Sequence, residues 1–441
     1  MLRPPDGLSP PCAILQDVRT NRARRQARAI PVRGDRPPPR ARPRLRAPFA
    51  SVLLSTLAFL SPTLALAPLN ASEPRADAAR PATLDESGEG ASRVVRVVPL
   101  VDAPLQLVPP APRDAAPATE NDAARYQAAL EAARAMAGAY GVTFAAVRDG
   151  ELLWAGSSGR ARDGRTPLTP STPLVIGSVT KTFVAATILQ LAEDGRLRLD
   201  DPVREHLPEL RQLSRRITIA QLLDHTSGLA DLFNDETRAG LEEDPGRAWT
   251  TEEVLGSLDA PWYQPGEGWA YANTNFYLLG LVIERLTGAS LAEELTARFL
   301  EPLGLRTTGL LDGTEPGGPL EPAWTSIFWG SGAMAASAAD LARWGDALYA
   351  GGVLRPSSRA RMLELNDHDY GYGVQLVEVA GRKGYGHTGL LNTYTSLLYH
   401  LPKERLTIAL LVNRSHVDLG GMLTVEPGTG RPSLLELATG D

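Results

Sequence analysis

Lysine is scarce in this sequence of 441 residues. It occurs only at Lys181, Lys383 and Lys403, although lysine and arginine together number 45. Arginine keeps its proton in proteins, whereas a buried lysine can be driven toward its neutral form and act as a base. A lysine retained where arginine fills almost every other cationic position therefore indicates amine chemistry. The first candidate is Lys181, in "IGSVTKTF" at 176–183.

Cysteine and the usual cofactor motifs are also nearly absent. A single cysteine, Cys12, excludes a disulfide within the chain and a metal site built from several thiolates. The six histidines lack the His-Glu-x-x-His spacing of a zinc site, and there is no phosphate loop or dinucleotide fingerprint. A Gly-x-Ser-x-Gly nucleophile elbow is missing as well. The sequence thus predicts no metal and no cofactor.

Net positive charge is confined to one end of the chain. The net charge is −6, yet residues 1–67 carry twelve arginines against three aspartates. The rest of the chain is therefore strongly acidic, which argues against nucleic acid as a partner.

The basic stretch leads into an apolar segment, "APFASVLLSTLAFLSPTLALA", at 47–67. A basic flank, an apolar core and a small-x-small end at Ala65-Leu66-Ala67 are typical of a secretory signal. We therefore predict export to the periplasm or the extracellular space, with Cys12 removed in the leader. The alternative is an uncleaved segment that keeps the protein associated with the membrane, because the apolar run approaches spanning length.

Composition divides the chain into four parts. Residues 1–67 form the basic extension and signal-like segment, and the Ala- and Pro-rich residues 68–119 form a linker. Periodic patterns predict one domain over 120–425, followed by a C-terminal tail at 426–441.

Strand patterns lie at both ends of this domain and helix patterns lie between them. An Ala-rich helix near Asn121 precedes two strands joined by Asp149-Gly150, a strong hairpin signal. Four strand patterns follow at the other end, at 372–381, 384–389, 393–401 and 405–413. Helices are predicted at 178–194, 219–224, 251–258, 273–287, 290–299 and 338–349. This order predicts an α+β fold (an α/β sandwich), in which helices flank one antiparallel sheet built from both terminal segments and a mostly helical second lobe is inserted.

Ser178 and Lys181 open the first of the central helices and share one face of it. At a helix N-terminus the backbone N–H of the serine is free, so one turn supplies a nucleophile, a base and an oxyanion donor. Ser-x-x-Lys by itself is equally the pattern of a capping serine followed by a solvated lysine.

Six segments in a fixed order distinguish these interpretations. They are "IGSVTKTF" (176–183), "LLDHTSGL" (222–229), "QPGEGWAYANTNFYLLG" (264–280), "PLGLRTTG" (302–309), "GAMAASAADLARW" (332–344) and "GYGHTG" (384–389). Together they resemble the serine β-lactamase and penicillin-binding-protein superfamily, in the branch of class C β-lactamases, D-alanyl-D-alanine carboxypeptidases and related esterases. The resemblance covers about residues 123–415.

The resemblance implies catalytic roles for three residues. Ser178 would be the acylated nucleophile, Lys181 its base, and Tyr271 a proton relay whose pKa falls beside a cationic lysine. Asn273, the last residue of Tyr271-Ala272-Asn273, would bind substrate and lysine through its amide. Taken alone, "YANTNF" favours a helix start with a capping asparagine.

The third motif of the family falls on His387-Thr388-Gly389. His387 and the Thr388 hydroxyl would bind substrate, Gly389 would allow close approach of the substrate, and the N–H of Leu390 would be the second oxyanion donor. Many β-lactamases have lysine in place of His387. Lys383 cannot replace that lysine, because at roughly 3.3 Å per residue it lies about 13 Å away along the strand. His225, in "LLDHTSGL", is interpreted as part of a structural turn.

The predicted function is that of an exported serine hydrolase that forms an acyl-enzyme at Ser178 and cleaves an ester or a D-alanyl-type amide. Its partner would be a small molecule or a peptidoglycan peptide. A neutral His387 favours an esterase or peptidase over an efficient β-lactamase. The alternatives are a class C-like β-lactamase and a non-catalytic penicillin-binding relative.

Overall fold

The computed structural model describes residues 120–314 and 318–441. The predicted signal-like segment (1–67) and linker (68–119) lie outside these ranges. All described residues belong to one compact unit. Within them, no helix is both long enough and apolar enough to cross a membrane.

Six strands form one antiparallel sheet. They are β1 (Gly141–Arg148), β2 (Glu151–Gly159), β6 (Gln375–Val379), β7 (Arg382–Leu391), β8 (Tyr394–Leu401) and β9 (Leu406–Val412). Their order is β2-β1-β9-β8-β7-β6, and β1 pairs with β9 from Val142↔Val412 to Arg148↔Leu406. The prediction that the two ends of the domain share one sheet is therefore confirmed.

A small second sheet lies in the helical lobe. It has the order β3-β5-β4 and consists of β3 (Leu174–Val175), β4 (Gly309–Leu310) and β5 (Met334–Ala336). Strand β3 leads directly into the segment that carries Ser178.

Helices occupy both faces of the large sheet and form most of the second lobe. They are α1 (Glu120–Ala137), α2 (Thr180–Glu193), α3 (Val203–His206), α4 (Ile219–Leu223), α5 (Asp235–Glu243), α6 (Thr251–Gly256), α7 (Asn273–Thr287), α8 (Leu291–Leu295, continued by a π-helical turn at Thr296–Leu300), α9 (Pro322–Gly332), α10 (Ala338–Tyr349), α11 (Pro356–Met362), α12 (Leu419–Thr424) and α13 (Leu434–Thr439). The six central helices predicted from the sequence all form, which confirms the α+β prediction. Short helices such as α3, α5 and α11 were not predicted.

Alternation along the strands explains the two layers of the core. Phe144 and Leu410 face one side of the large sheet and pack with α1, α12 and α13, whereas Ala145 and Leu411 face the other side. On that second side Trp344 of α10 stacks on Phe183 of α2, with ring centroids 3.9 Å apart. The helix that begins after Ser178 is thereby fixed against the centre of the molecule.

The predicted C-terminal tail is wrong, because residues after 425 belong to the domain. Leu434, Leu435 and Ala438 of α13 are buried in the layer beneath α1. The Arg148 guanidinium donates hydrogen bonds to the carbonyl oxygens of Ala438 (2.6 Å) and Thr439 (3.0 Å). The short apolar run "LLELA" has too few residues to show helical periodicity, so the sequence pattern did not reveal this packing.

Asp346 provides a prediction about stability. Its side chain is 5% exposed, and its Oδ1 atom has no hydrogen-bond partner among the described residues. Burial, reinforced by the nearby Asp149 carboxylate, raises the pKa of Asp346 from 3.8 to about 6. The folded state therefore binds the proton more tightly than the unfolded chain does, so stability is lost as the pH rises from about 4 to about 6.

We expect Asp346→Asn to stabilise the protein at pH 7.5 by about 1–2 kcal/mol, or roughly 2–5 °C in Tm, because the amide carries no charge to desolvate. At pH 4 the variant and the wild type should melt together. Calorimetry at the two pH values makes the comparison. An equal gain at both would show that the charge of Asp346 is not the cause.

Candidate active site

Ser178 lies at a junction between the two lobes. It occupies a 3₁₀ turn, Gly177–Val179, that connects β3 to α2. Gly177 has φ +51°, and a Cβ at this position would lie 2.8 Å from the backbone nitrogen of Leu390. A larger residue would be strained and would collide with β7. Glycine therefore brings the Ser178 turn against the strand that carries the third motif.

The Lys181 side chain is directed at Ser178. It is 0% exposed, and its Nζ donates hydrogen bonds to Ser178 Oγ (3.1 Å), Asn273 Oδ1 (2.8 Å) and the Ser331 carbonyl oxygen (2.7 Å). The Ser331 carbonyl is free for this contact because α9 ends at Gly332. These contacts exclude the alternative of a solvated lysine after a capping serine.

Burial changes the protonation of Lys181. It lowers the pKa of the amine from 10.5 to about 7, and the negative charge of Asp231 opposes this shift only in part. A substantial fraction of the amine is then neutral near pH 7 and can accept the proton of Ser178.

Asn273 does not cap its helix. The first residue of α7 is preceded by Ala272 as N-cap, without a side-chain capping bond. Asn273 instead accepts from Lys181 through Oδ1 and donates through Nδ2 to Asp231 Oδ2 at 3.2 Å. Its backbone N–H also donates to Asp231 Oδ1, at 3.0 Å. The asparagine thus links the lysine to a buried carboxylate.

The expected pKa of Tyr271 is wrong in direction. Its ring centroid lies 4.9 Å from Lys181 Nζ, but burial raises the pKa of the Tyr271 hydroxyl well above 10, and interaction with the Ser178 side chain opposes this only in part. The hydroxyl makes no hydrogen bond of ordinary length and angle with the described residues. Desolvation therefore determines the direction, and Tyr271 stays a phenol that can donate a proton.

The third motif on β7 approaches the serine through its backbone. A Cβ on Gly389 would lie 2.0 Å from the carbonyl oxygen of Ile176. Glycine at this position therefore allows the backbone before Ser178 to approach β7. Its predicted role, close approach of the substrate, is corrected accordingly. Thr388 donates from both its N–H and its hydroxyl to Gln375 Oε1, each at 3.1 Å. The backbone nitrogen of Leu390 lies beside Gly177, next to Ser178, as a second oxyanion donor would.

His387 was predicted to contact substrate, and its surroundings contradict this. The ring is 1% exposed, with Nδ1 at 2.6 Å from the Thr388 carbonyl oxygen and Nε2 at 3.0 Å from the Tyr370 hydroxyl. Because a carbonyl only accepts, Nδ1 carries the proton and Nε2 accepts from Tyr370. With both ring nitrogens engaged and the ring buried, His387 has no free polar atom for a substrate.

A second buried histidine completes this hydrogen-bonded chain. His225 Nδ1 accepts from the Ala272 N–H (3.2 Å) and Asn275 Nδ2 (2.8 Å), so its Nε2 donates to the Tyr370 hydroxyl at 3.2 Å. Both histidines are held neutral by this geometry. Burial also lowers both pKa values, that of His387 to about 3. His225 is therefore part of the packing behind Tyr271, in agreement with its interpretation as structural.

A neutral His387 gives a prediction for substrate charge. For a carboxylate-bearing substrate and its methyl ester, we expect the ratio of kcat/KM values to stay within about twofold as the pH falls from 7.5 to 5. Titration of Lys181 changes the kcat/KM values of both substrates by the same factor, so it cancels in their ratio. A ratio that rises through pH 6.5 would show that an imidazolium binds the carboxylate, and would contradict the hydrogen-bond chain.

Three residues of the site were missed by sequence reasoning. Asp231 is 8% exposed and follows the turn interpreted as structural. Its signal was an aspartate among buried apolar neighbours in "GLADLF". Tyr370, in "DYGYGV" at 369–374, was given no role in the site. Ser331 acts through its carbonyl, which leaves no side-chain signal.

Metal ligands are not assembled here. In 120–314 and 318–441 no group of three or more His, Cys, Asp or Glu side chains could hold a metal ion.

Comparison with known proteins gives a consistent family. The family model described as Beta-lactamase matches residues 126–423. The chain is 29% identical to a D-aminopeptidase of Gluconobacter oxydans over 325 residues, covering 67% of this chain and 60% of that protein. It is also 29% identical to penicillin-binding protein 4 of Amycolatopsis lactamdurans over 332 residues, covering 66% of this chain and 85% of that protein.

Solved structures of related proteins are similar to this chain in fold. A D-stereospecific amidohydrolase from Streptomyces sp. superposes with a TM-score of 0.58 and 29% identity, over 68% of this chain and 96% of that one. An octameric penicillin-binding protein homologue from Pyrococcus abyssi gives a TM-score of 0.57 and 26% identity, over 66% and 73%. The chain spans less than two thirds of the D-aminopeptidases it matches, 60% of that from Gluconobacter and 56% of that from Brucella anthropi.

Proposed function

The chain belongs to the beta-lactamase family, and on that premise we propose that it is a serine hydrolase acting through an acyl-enzyme at Ser178. The observation that carries the proposal is the buried Lys181 amine, which lies 3.1 Å from Ser178 Oγ and whose pKa burial lowers to about 7. A non-catalytic relative would have no need for a lysine held in this way.

The steps follow from the geometry. Lys181 Nζ takes the hydroxyl proton as Ser178 Oγ attacks the substrate carbonyl carbon, and the N–H groups of Ser178 and Leu390 stabilise the resulting oxyanion. The bond from the carbonyl carbon to the leaving nitrogen or oxygen then breaks. The leaving group takes the proton from the lysine, with the Tyr271 phenol placed to relay it.

Hydrolysis of the acyl-enzyme reverses these roles. Lys181 Nζ removes a proton from water, the hydroxide attacks the acyl carbon, and Ser178 Oγ leaves with that proton. The products are a carboxylic acid and the free serine.

For the substrate we propose an amide or ester with a D-configured acyl group, including D-alanyl peptides of peptidoglycan. Two relatives named for D-configured substrates, a D-aminopeptidase and a D-stereospecific amidohydrolase, support this class. Within this class the neutral His387 favours neutral amides and esters, because no cation stands at that position to bind the carboxylate of a β-lactam or of a peptide terminus.

A matched panel tests the substrate. D-alanine p-nitroanilide should be hydrolysed at least about tenfold faster than its L-enantiomer, with a carboxylate-bearing β-lactam the slower substrate. Faster turnover of the β-lactam would favour the class C-like alternative. A folded protein that hydrolyses none of the panel and takes no acyl group would favour the non-catalytic one.

Export also remains a proposal, supported by the basic flank and apolar run at 47–67. N-terminal sequencing of the protein from the envelope fraction tests it. A mature chain starting near Pro68 supports cleavage, whereas an intact apolar segment in the membrane fraction supports an anchor.

A further inference from the structure

Asp231 is buried beside the site without contacting the reacting atoms. It accepts three hydrogen bonds, from the backbone N–H groups of Phe233 (3.2 Å) and Asn273 (3.0 Å) on Oδ1, and from Asn273 Nδ2 (3.2 Å) on Oδ2. Only donors face it, which suits an ionised carboxylate. Burial raises the pKa of Asp231 above its ordinary value, and these hydrogen bonds together with the Lys181 charge oppose that shift.

The contact with Asp231 determines which way the Asn273 amide faces. Because a carboxylate only accepts, the Asn273 NH₂ group must face Asp231. The amide oxygen is then turned to Lys181 Nζ, 2.8 Å away. Two of the three partners of the lysine, this oxygen and the Ser331 carbonyl, are therefore acceptors only.

This arrangement decides where the lone pair of a neutral amine points. A neutral lysine has two N–H bonds and one lone pair. The two N–H bonds are taken by the Asn273 oxygen and the Ser331 carbonyl, so the lone pair is left for the Ser178 hydroxyl, 3.1 Å away. If the Asn273 amide were flipped, its NH₂ group would occupy the lone pair and Ser178 would lose its base.

We propose that Asp231 is a positioning residue that locks the Asn273 amide and thereby directs the lone pair of Lys181 at the Ser178 hydroxyl. The proposal rests on the proposed function, since it explains how the base of that reaction is prepared.

The first test is Asp231→Asn. The oxygen of the amide introduced at position 231 can still accept hydrogen bonds from the two backbone N–H groups. The NH₂ group of that amide, however, faces the Asn273 NH₂ group, and two donors in contact force the Asn273 amide to turn. We expect acylation of Ser178 by a fluorophosphonate to slow by about 10²-fold, the usual contribution of a positioned base. With a p-nitroanilide substrate, kcat should fall while KM changes little.

The double variant Asp231→Asn/Asn273→Asp separates this lock from a merely structural role. The carboxylate introduced at position 273 accepts a hydrogen bond from Lys181, and the amide introduced at position 231 donates one to that carboxylate. The total charge is unchanged. We expect acylation at least about tenfold faster than in the single variant, because the lone pair again has only Ser178 as partner. The pH midpoint of acylation should rise by about one unit or more, because the carboxylate now touches the amine.

A readout independent of activity uses the three lysines of the chain. With ¹³Cε,¹⁵Nζ-lysine, the Lys181 titration should move to lower pH in Asp231→Asn and above the wild-type value in the double variant. The other titratable groups that face Lys181 are Tyr271, His225 and His387, which are the same in all three proteins.

Two results would overturn the proposal that Asp231 fixes the orientation of the Asn273 amide. One is an Asp231→Asn variant that acylates within threefold of wild type. The other is a folded double variant no faster than the single one, with the Lys181 titration unmoved. Failure of the wild type to acylate at Ser178 would instead overturn the proposed function, and the titration shifts would still decide whether Asp231 acts on Lys181.

Discussion

Replacing Ser178 by alanine is expected to lower kcat by a factor on the order of 10⁴ or more, because the acyl-enzyme cannot form without Oγ. The fold should persist. The hydroxyl receives a hydrogen bond only from Lys181 among the bonds described for it, and it contributes little to the packed core. Removing it leaves Lys181 with its Asn273 and Ser331 partners.

The experiment compares steady-state turnover and covalent labelling by a fluorescent penicillin and a fluorophosphonate. The wild type should carry the label on the peptide that contains Ser178, and the variant should carry none. Equal melting temperatures would show that the loss is chemical. Turnover close to the wild-type rate in Ser178→Ala would place the nucleophile elsewhere.

Replacing Lys181 by arginine is expected to be nearly as damaging, with a loss of about 10³-fold or more in kcat. A guanidinium cannot give up its proton, and its planar fork does not fit a site shaped for three contacts around one nitrogen. The charge is retained, so the variant tests proton transfer rather than electrostatics.

The chain offers a matched control for this variant. Lys383 lies on β7, where its side chain is 64% exposed and its Nζ is 3.6 Å from Glu378 Oε2. Lys383→Arg should leave kcat within about twofold of wild type, because an exposed ion pair tolerates the exchange. Activity of Lys181→Arg comparable to that of this control would mean that Lys181 acts only through its charge.

The parts of the site that the sequence predicted are those with a fixed local spacing. Ser178 and Lys181 are three residues apart at the start of one helix, and Leu390, which directly follows the third motif on its strand, lies beside the Ser178 turn. The helical lobe was predicted for the same reason. Local periodicity is read directly from the chain.

The parts that could not be predicted depend on burial. The Tyr271 pKa was expected to fall beside a cationic lysine, but neither group is well solvated, so the lysine is driven toward neutrality and the phenol keeps its proton. His387 was expected at the substrate, and its true partner Tyr370 comes from a different segment. Such contacts arise only when distant elements pack.

The most direct test of the account is the protonation of Lys181 itself. With ¹³Cε,¹⁵Nζ-lysine the wild-type protein gives three side-chain signals, and the one lost in Lys181→Arg is assigned to Lys181. We expect this signal to titrate near pH 7, below the ordinary 10.5, and the rate of Ser178 acylation to rise with pH through the same midpoint. The assignment of Lys181 as the base would be contradicted if its signal titrated near 10.5 and the acylation rate had already reached its plateau below pH 7.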